Sequence, residues 1–385
     1  MKASQYQVQI HFSINNIKKT DWNNFLIEIK NPFYTWEWLL NLEKSKSVSK
    51  ETGWQPLYFS INLNNEIVAI APLFIKNHSF GEFIFDQSFA KLAEDLNLQY
   101  YPKIIGMSPY SPIEGYQFLY KKNSDKLELT ELLISSIESF AIKNNILSCN
   151  FLYVDYEWSQ YLQKLGYHEW INVRSEWESY GEKTFDEFLA RFNSNQRKNI
   201  KKERKSIINQ SINIEILKDE NIDLKILEQM HRFYSEHCSK WGIWGSKYLT
   251  PNFFNSLLIE KEKLIIFSAK RKSSQHILAM SMCIKNENYL WGRYWGSNEE
   301  LKNLHFELCY YQPIEWAISN GIKFFDPGAG GRHKRRRGFY AKKTKSLHKW
   351  FDKNMDQIIS KWLNQVNRQI KSEIDLENDS IPFVK

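Results

Sequence analysis

The order of predicted secondary structure repeats once along the 385 residues of the chain. Each half begins with two amphipathic helices, continues with strands, and ends with a long helix that leads into a further strand. The long helix and its strand are predicted over 127–143 and 148–154 in the first half, and over 304–319 and 323–326 in the second. The letters themselves do not visibly repeat. The pattern therefore predicts an internal duplication of a mixed α/β (α+β) unit.

This duplication sets the expected domain boundaries. We expect an N-terminal domain over 1–178, a C-terminal domain over 179–351, and a helix with a tail over 352–385. Apolar residues recur at helical spacing over 352–375, which predicts an amphipathic helix. Most such helices pack on their own domain. Peripheral membrane contact is the less favoured alternative, because the polar face mixes acids with bases.

Several local signals can be compared directly with a structure. The segment 79–86 (SFGEFIFD) alternates aromatic with polar residues, as a half-buried strand does. Thr184 and Glu187 have the spacing of a capping box, in which each satisfies an amide at the start of a helix. A basic helix is expected over 194–208, and three successive antiparallel strands over 264–269, 277–285 and 288–295.

Composition excludes several classes of protein. The N-terminal residues MKASQYQVQIHFSINN lack the apolar core of a signal peptide, and no run of about 18 apolar residues predicts a membrane span. Four cysteines stand far apart, without the spacing of a zinc site or a disulfide framework. We therefore expect a cytoplasmic chain with reduced thiols and no metal. Aromatic residues are abundant, at 15%, and suit a core or an interface.

The net charge of +8 is concentrated in two segments. Residues 332–349 hold nine Lys or Arg and no acid, and residues 191–205 hold seven with one Glu, so the rest of the chain sums to −7. Such segments suit a polyanionic partner, for example a nucleic acid, a phosphorylated ligand or an anionic membrane surface. The alternative is a solvated face. A glycine cluster precedes the second segment, which favours binding there, and its arginines Arg335 and Arg336 are expected to be exposed.

Ordered blocks over about residues 30–350 resemble one protein family. In the second half these are NYLWGRYWGS (288–297), LHFELCYYQPIEWAI (304–318), FFDPGAGGRHKRRRGFY (324–340) and SLHKW (346–350). In the first half they include HSFGEFIFD (78–86), YYPK (100–103) and SPYSPIEG (108–115), and NQRKNIKKERK (195–205) follows. The chain resembles the FemAB-like, peptidoglycan biosynthesis/recognition branch of the GNAT N-acyltransferase superfamily.

The resemblance implies tandem GNAT-like domains and an acyl transfer to an amine. Relatives of the Fem type use aminoacyl-tRNA and an amine of a peptidoglycan precursor, whereas ordinary GNAT enzymes use acyl-CoA. The expected acceptor is thus a small-molecule or cell-wall-precursor amine, and tRNA is a candidate partner. One departure weighs against acyl-CoA: residues 296–303 lack the glycines of the usual pyrophosphate loop and contain two acids. A second departure is Gly330 and Arg332, where many relatives carry Gln and Glu.

Acyl transfer needs a base, donors for the developing oxyanion, and an acid for the leaving group. His305 and Glu307, at the start of the predicted helix 304–319, are candidate bases, and Asp326, at the end of a strand, is the next. For His305 or Glu307 alone, a capping or supporting role is the slightly favoured alternative. Asp before Pro-Gly also commonly starts a turn.

Further candidates would bind the substrate or cofactor. Gly328, Gly330 and Gly331 allow backbone amides to approach an anion. His333, Lys334 and Arg337 follow them, and a guanidinium beside glycine amides makes an anion clamp. Arg293, Tyr294 and Trp295 end the neighbouring strand, where Arg293 either pairs with an acid such as Glu307 or reaches the ligand.

Two functions remain open at this point. The favoured one is an N-acyltransferase with aminoacyl-tRNA or acyl-CoA as donor. The other is a non-catalytic GNAT-fold protein that recognises tRNA or a glycan precursor, because a duplicated fold does not guarantee activity. Convergence of His305, Glu307 and Asp326 on one cleft would favour the enzyme.

Overall fold

A computed structural model describes residues 6–26, 31–242, 245–274 and 276–384. The chain divides into two compact units. Unit one comprises residues 1–172 and 343–371, and unit two comprises residues 173–342 and 372–385. Each unit is built on a mixed sheet with helices, as the repeated element order predicts.

Strands β1 to β6 lie in unit one, and β13 ends there. Their bounds are β1 Tyr6–His11, β2 Trp54–Leu63, β3 Glu66–Lys76, β4 Lys103–Gly106, β5 Leu119–Tyr120, β6 Ser148–Phe151 and β13 Tyr340–Trp350. β1 to β4 pair antiparallel in sequence order, and β4 pairs parallel with β6. Residues 347–350 of β13 then pair antiparallel with β6, and β5 adds to β3.

The helices of unit one cover these strands with apolar side chains. They are α1 Lys19–Phe25, α2 Trp36–Lys44, α3 Gln87–Asp95, α4 Lys126–Lys143 and α5 Tyr156–Lys164. α4 is the predicted long helix; Asp125 caps its start by accepting from the amides of Leu127 and Glu128. Its apolar stripe, including Leu133 and Ile137, is fully buried against the sheet.

The strands of unit two pair in the same order as those of unit one. They are β7 His168–Glu178, β8 Ile212–Leu217, β9 Leu264–Arg271, β10 Ile277–Lys285, β11 Tyr289–Ser297 and β12 Phe324–Asp326. β8 to β11 pair antiparallel in sequence order, and β11 pairs parallel with β12. Residues 177 and 178 of β7 pair antiparallel with β12.

The helices of unit two include the predicted basic helix. They are α6 Phe185–Ala190, α7 Ser194–Asn209, α8 Leu224–Ser239, α9 Pro251–Ser256, α10 Leu304–Phe306, a π-helical segment Glu307–Tyr311, and α11 Gln312–Ser319. The capping box is half confirmed. Thr184 accepts from the amide of Glu187, but the Glu187 carboxylate accepts from the amide of Lys183 rather than that of Thr184.

The two sheets match strand for strand. The order β1-β2-β3-β4-β6-β13 in unit one corresponds to β8-β9-β10-β11-β12-β7 in unit two, with the same sequence of antiparallel and parallel pairings. In both units a long helical stretch connects the two parallel strands. The predicted duplication of a mixed α/β unit is therefore present in the topology.

Three expectations differ from the structure. The units are not contiguous as 1–178 and 179–351, because residues 347–350 supply the last strand of unit one. The C-terminal helix α12, Lys353–Asp379, belongs to unit one up to residue 371 and to unit two from residue 372, rather than to a single domain. Residues 79–86 form a loop instead of a strand, since buried polar contacts fix their backbone.

Two further expectations can be compared with the structure only over the described residues. The first of the two amphipathic helices expected at the start of the first half is observed as α1, and residues 27–30 lie outside the described residues. Among the described residues, no helix is both long and apolar enough to cross a membrane.

Candidate active site

In unit two the pairing of the parallel strands β11 and β12 ends beside the glycine loop 327–331, and this end of the pairing is named the opening. Their three residue pairs end at Trp291 and Asp326. Beyond this point Gly292 faces Pro327, and a Cβ atom at Gly292 would lie 3.6 Å from the backbone of Pro327. β12 then ends at Asp326, whereas β11 continues along β10 to Ser297. An opening between parallel strands of an α/β sheet is the usual place for a ligand.

Arg293 lies in a β-bulge at this opening. β10 pairs Met282 with Tyr294 and Cys283 with Gly292, so Arg293 is the extra residue of β11. Bulges re-aim side chains and are common beside active sites. The buried Arg293 guanidinium forms an ion pair with Asp326 at 3.3 Å. The acid beside Arg293 is therefore Asp326 and not Glu307, which sequence reasoning had named.

Asp326 also fixes the start of the glycine loop. Its Oδ1 accepts a hydrogen bond from the amide of Gly328 at 2.7 Å. Gly328, Gly330 and Gly331 have φ values of 89°, 73° and 85°, a left-handed conformation that glycine adopts without steric cost. Lys334 closes the loop from the other side, since its Nζ donates to the carbonyl oxygens of Gly328 and Ala329 at 2.7 and 3.0 Å. Burial lowers the pKa of Lys334 to about 8.

His305 packs among aromatic rings beside this loop. The His305 ring centroid lies 5.3 Å from those of Trp295 and Tyr310. Burial first, and then the nearby His333, lower the pKa of His305 to about 4, so its imidazole is neutral near pH 7. The Tyr310 hydroxyl is hydrogen-bonded to His333 Nε2 at 3.0 Å.

Sequence reasoning missed Tyr310, and the reason is geometric. His305 and Tyr310 stand five residues apart, a spacing that points to different faces of an α-helix. The segment Glu307–Tyr311 is π-helical, with bonds from residue i to i+5. An α-helical periodicity therefore carries no signal for this pair.

Glu307 contacts a different set of residues from His305. Its buried carboxylate accepts from Arg204 Nε at 3.1 Å and from Gln312 Nε2 at 2.8 Å. Arg204 also pairs with Glu315 and stacks over the Phe185 ring at 4.4 Å. Glu307 therefore connects its helix to α7, and protonation of its carboxylate would weaken the ion pair with Arg204.

Arg337 connects the segment after the glycine loop to α7 through Glu203. Its Nη2 lies 3.0 and 3.1 Å from the two carboxylate oxygens of Glu203, which also accepts from the Tyr311 hydroxyl. The guanidinium of Arg337 lies 3.5 Å above the Phe306 ring. Adjacent residues of α7, Glu203 and Arg204, thus hold two elements at the opening.

The remaining candidates divide between core and opening. Tyr294 is buried against Tyr234 and Phe254, and burial raises the pKa of its hydroxyl. Trp295 is half-buried beside His305. The structure therefore brings Arg293 and Asp326 into contact, with Lys334 on their loop, and His305, Tyr310 and His333 next to one another. Among the described residues no group of three or more His, Cys, Asp or Glu could hold a metal ion.

The two basic segments differ in their surroundings. On α7, Lys198, Lys201, Lys202 and Lys205 are exposed along one face. In the second segment, Arg335 is buried and donates to Glu377, to Ser175 and to the carbonyl oxygen of Phe339. The expectation that Arg335 belongs to an exposed loop is wrong, because its charge is matched by Glu377 of α12. Arg336 is exposed, as expected.

Aromatic rings pack at the corresponding end of the parallel pairing in unit one. β4 and β6 pair in parallel up to Gly106 and Phe151. A Cβ atom at Gly106 would lie 2.4 Å from the hydroxyl of Tyr116, which donates to the carbonyl oxygen of Pro72 and stacks on Phe151. Aromatic packing thus occupies in unit one the place that Arg293 and Asp326 hold in unit two.

Comparisons with known proteins agree on family and fold. A family model described as FemAB-like, peptidoglycan biosynthesis/recognition, matches residues 13–385. A crystal structure of FemX is similar with a TM-score of 0.54 at 12% identity, covering 92% of this chain and 100% of that one. L-PGS from Bacillus licheniformis has a TM-score of 0.49 at 10% identity, covering 84% and 95%.

A tandem GNAT protein from the clavulanic acid biosynthesis pathway has a TM-score of 0.47 at 7% identity, covering 89% and 98%. A search of the curated proteins finds no match. At 12% identity the similarity to FemX establishes the fold alone. The matching strand orders of the two units show the duplication that the tandem architecture predicts.

Proposed function

Because the chain belongs to the FemAB-like family of peptidoglycan biosynthesis and recognition, we propose that it transfers an aminoacyl group from aminoacyl-tRNA to an amine of a peptidoglycan precursor. The reaction would take place in the cytoplasm, at the opening between β11 and β12. The observation that carries this proposal is the polar lining of that opening. Arg293 and Asp326 lie at its base and the His305, Tyr310 and His333 group beside it.

The chemistry requires one bond to form and one to break. The amine nitrogen attacks the ester carbonyl carbon of the aminoacyl donor, and the bond from that carbon to the ribose oxygen breaks. The attacking ammonium must first lose a proton, and the leaving oxygen must gain one. We assign the first role to His333, which is exposed and hydrogen-bonded to Tyr310, and the second to Tyr310.

The choice of Tyr310 as acid follows from its protonation state. Burial raises the pKa of the Tyr310 hydroxyl, so it keeps its proton near pH 7 and can donate it. His305 is a weaker base than His333 in this arrangement, because burial lowers its pKa to about 4. We therefore propose that the neutral His305 ring positions Tyr310, while Arg293 and Asp326 fix the strand and the glycine loop.

Two observations favour tRNA over acyl-CoA as donor. Residues 296–303, after β11, contain Glu299 and Glu300 and lack the glycines that a pyrophosphate loop requires. Four exposed lysines on α7 offer a positive surface to phosphates, whereas three of the charges at 332–337 are buried.

A transfer assay on the full chain tests this proposal. The protein is incubated with total tRNA charged with labelled amino acids. The acceptor is a precursor peptide that contains a diamino acid with a free side-chain amine, and the product is identified by mass spectrometry. Tyr310→Phe and His333→Ala should each lower the rate by about 10²–10⁴-fold, the usual loss for an acid or base. His276→Ala, an exposed histidine of unit two, serves as control and should retain the wild-type rate.

The assay also separates the alternatives. Transfer from acetyl-CoA but not from charged tRNA would assign the donor to the acyl-CoA class. Binding of the precursor without transfer from either donor would establish the non-catalytic alternative. Full activity in both variants would move the acid and base away from Tyr310 and His333.

A further inference from the structure

Helix α12 and the start of β7 form a polar cavity in unit one. Its volume is about 650 Å³. One wall is α12, and the opposite wall is the end of α5 with the first residues of β7. All residues that line the cavity belong to unit one. Ligand pockets usually measure about 300–1,000 Å³, so a small organic molecule fits this space.

Buried hydrogen bonds hold the two walls in place. Asn367 of α12 is buried, and its side-chain amide bonds to the backbone of β7 in both directions. Oδ1 accepts from the amide of Ile171 at 2.8 Å, and Nδ2 donates to the carbonyl oxygen of Glu169 at 2.7 Å. His168 Nε2 is hydrogen-bonded to Asp356 Oδ2 at 2.8 Å. The cavity is therefore preformed between two rigid elements.

Two cations on the wall formed by α12 have no acidic partner. Arg368 and Lys371 line the cavity. In the part of the chain that the structure describes, neither forms an ion pair, and the one hydrogen bond of the Arg368 guanidinium runs from Nε to the backbone oxygen of Asn364 at 3.1 Å. The acid in the lining is matched, because the Glu169 carboxylate lies 2.7 Å from Lys345 Nζ. The charge left over is therefore positive.

The acid Asp356, behind His168, does not reverse this sign. Counting it with the residues above gives three cations and two acids, even with His168 neutral. A positively charged wall favours an anion. Residues three positions apart on a helix are neighbours, so an arginine and a lysine at this spacing can both contact one phosphate group.

Uncharged polar side chains continue the same face of α12. Ser360 and Asn364 also line the cavity, and Asn364 precedes Arg368 by one turn, about 6 Å along the helix axis. Over the described residues, the Ser360 hydroxyl and the Asn364 side-chain amide form no hydrogen bond. On the opposite wall Gln163 Nε2 lies 3.3 Å from Glu169 Oε2. Hydroxyl and amide groups can donate to and accept from the hydroxyl groups of a ligand.

We propose that this cavity binds a phosphate monoester with a hydroxylated body, such as a sugar phosphate. Arg368 and Lys371 hold the phosphate oxygens, and Asn364 and Ser360 form hydrogen bonds with the hydroxyl groups. A water molecule takes up about 30 Å³, so the cavity has room for an organic body beyond the phosphate. The site lies within unit one, and it does not depend on the transfer reaction proposed for unit two.

Calorimetric titration of the full chain in a low-salt buffer without phosphate tests this proposal. The wild-type protein should bind glucose 6-phosphate or ribose 5-phosphate more tightly than inorganic phosphate, and it should not bind glucose. Arg368→Gln should weaken binding of the sugar phosphate about 10–100-fold, as expected for a hydrogen bond between charged groups. Lys361→Gln is the matched control, because Lys361 is an exposed cation of the same helix that does not line the cavity. It should keep the wild-type affinity.

A further variant, Asn364→Ala, separates the two parts of the ligand. It should weaken binding of the sugar phosphate about 2–10-fold and leave the affinity for inorganic phosphate unchanged. Arg368, Asn364 and Lys361 are exposed, so the variants should fold, and thermal melts check this. The proposal would be overturned by failure of both sugar phosphates to bind, by equal losses in Arg368→Gln and Lys361→Gln, or by an unchanged sugar phosphate affinity in Asn364→Ala.

Discussion

Arg335 shows how far a single charged residue can differ from the segment around it. It lies among nine basic residues without an acid, yet its guanidinium is buried and pairs with Glu377, 42 positions away in the sequence. No local pattern can reveal a partner at that distance. The adjacent Arg336 is exposed, so the pair offers a matched comparison between a buried and a solvated arginine.

We expect Arg335→Ala to lower the free energy of unfolding by about 3 kcal/mol, because it removes the donor to Glu377 Oε2 and to the Phe339 carbonyl oxygen, while Arg332 still pairs with Glu377 Oε1. Arg336→Ala should change it by less than about 0.5 kcal/mol. Urea unfolding followed by tryptophan fluorescence measures both values. Equal stabilities of the two variants would contradict the buried ion pair.

His305 should make the protein sensitive to acid. Its folded-state pKa of about 4 lies below the ordinary value of 6.5, so the unfolded chain binds more protons between these two pH values. The free energy of unfolding should therefore fall as the pH decreases from 6.5 to 4. The contribution is fully present above pH 6.5.

Thermal melts across this range should show a shallower decrease for His305→Gln than for the wild type, since glutamine does not titrate. The exposed His276 provides the control, and His276→Gln should follow the wild-type curve. A slope unchanged by His305→Gln would mean that the pKa of His305 is the same in the folded and the unfolded chain.

At the scale of elements, α7 combines two roles on different faces. Glu203 and Arg204 connect it to Arg337 and Glu307, while the lysines of the other face are exposed. The sequence predicted the helix and its charge, because spacing alone places those lysines on one side. It did not predict the inward ion pairs, whose partners lie more than 100 residues away.

If α7 contacts RNA, removal of its exposed lysines should weaken binding in a salt-dependent manner. We expect the triple variant Lys198→Ala, Lys202→Ala and Lys205→Ala to bind total tRNA more weakly, with the slope of log K against log salt reduced by up to about 2–3. Filter binding at several salt concentrations measures this slope. The control replaces three exposed lysines of unit one, Lys122, Lys126 and Lys143, and should match the wild type.

Elements whose apolar periodicity matches their final surroundings were the predictable ones. α4 and the strands β9 to β11 were predicted to within a few residues, since α4 has one buried apolar stripe and β9 and β10 are nearly continuous buried runs. The loop 79–86 has the alternation of a strand, but the contacts of Lys76 and Lys103 override that local preference. The site was predictable in its strand ends and glycine loop, and not in the π-helical placement of Tyr310.

At the scale of the whole molecule, the duplication was predictable and the assignment of its last strands was not. In each unit, one neighbour of the second parallel strand is distant in sequence. β6 pairs with residues 347–350, and β12 pairs with residues 177 and 178. Successive elements are usually neighbours, and a sequence offers no sign of such an exchange.

This exchange predicts how unit one behaves in isolation. A fragment of residues 1–178 corresponds to the contiguous N-terminal domain, but it leaves the buried strand β6 without the partner that residues 347–350 provide. An unpaired edge of buried residues favours aggregation. We expect this fragment to lack a cooperative unfolding transition.

Joining residues 1–172 to 343–371 through a flexible Gly-Ser linker should restore the transition, as measured by calorimetry and circular dichroism. The same joined fragment with Leu347→Asp, which places a charge at a fully buried position of β13, should lose it again. Cooperative unfolding of the 1–178 fragment alone would show that β13 is dispensable for unit one.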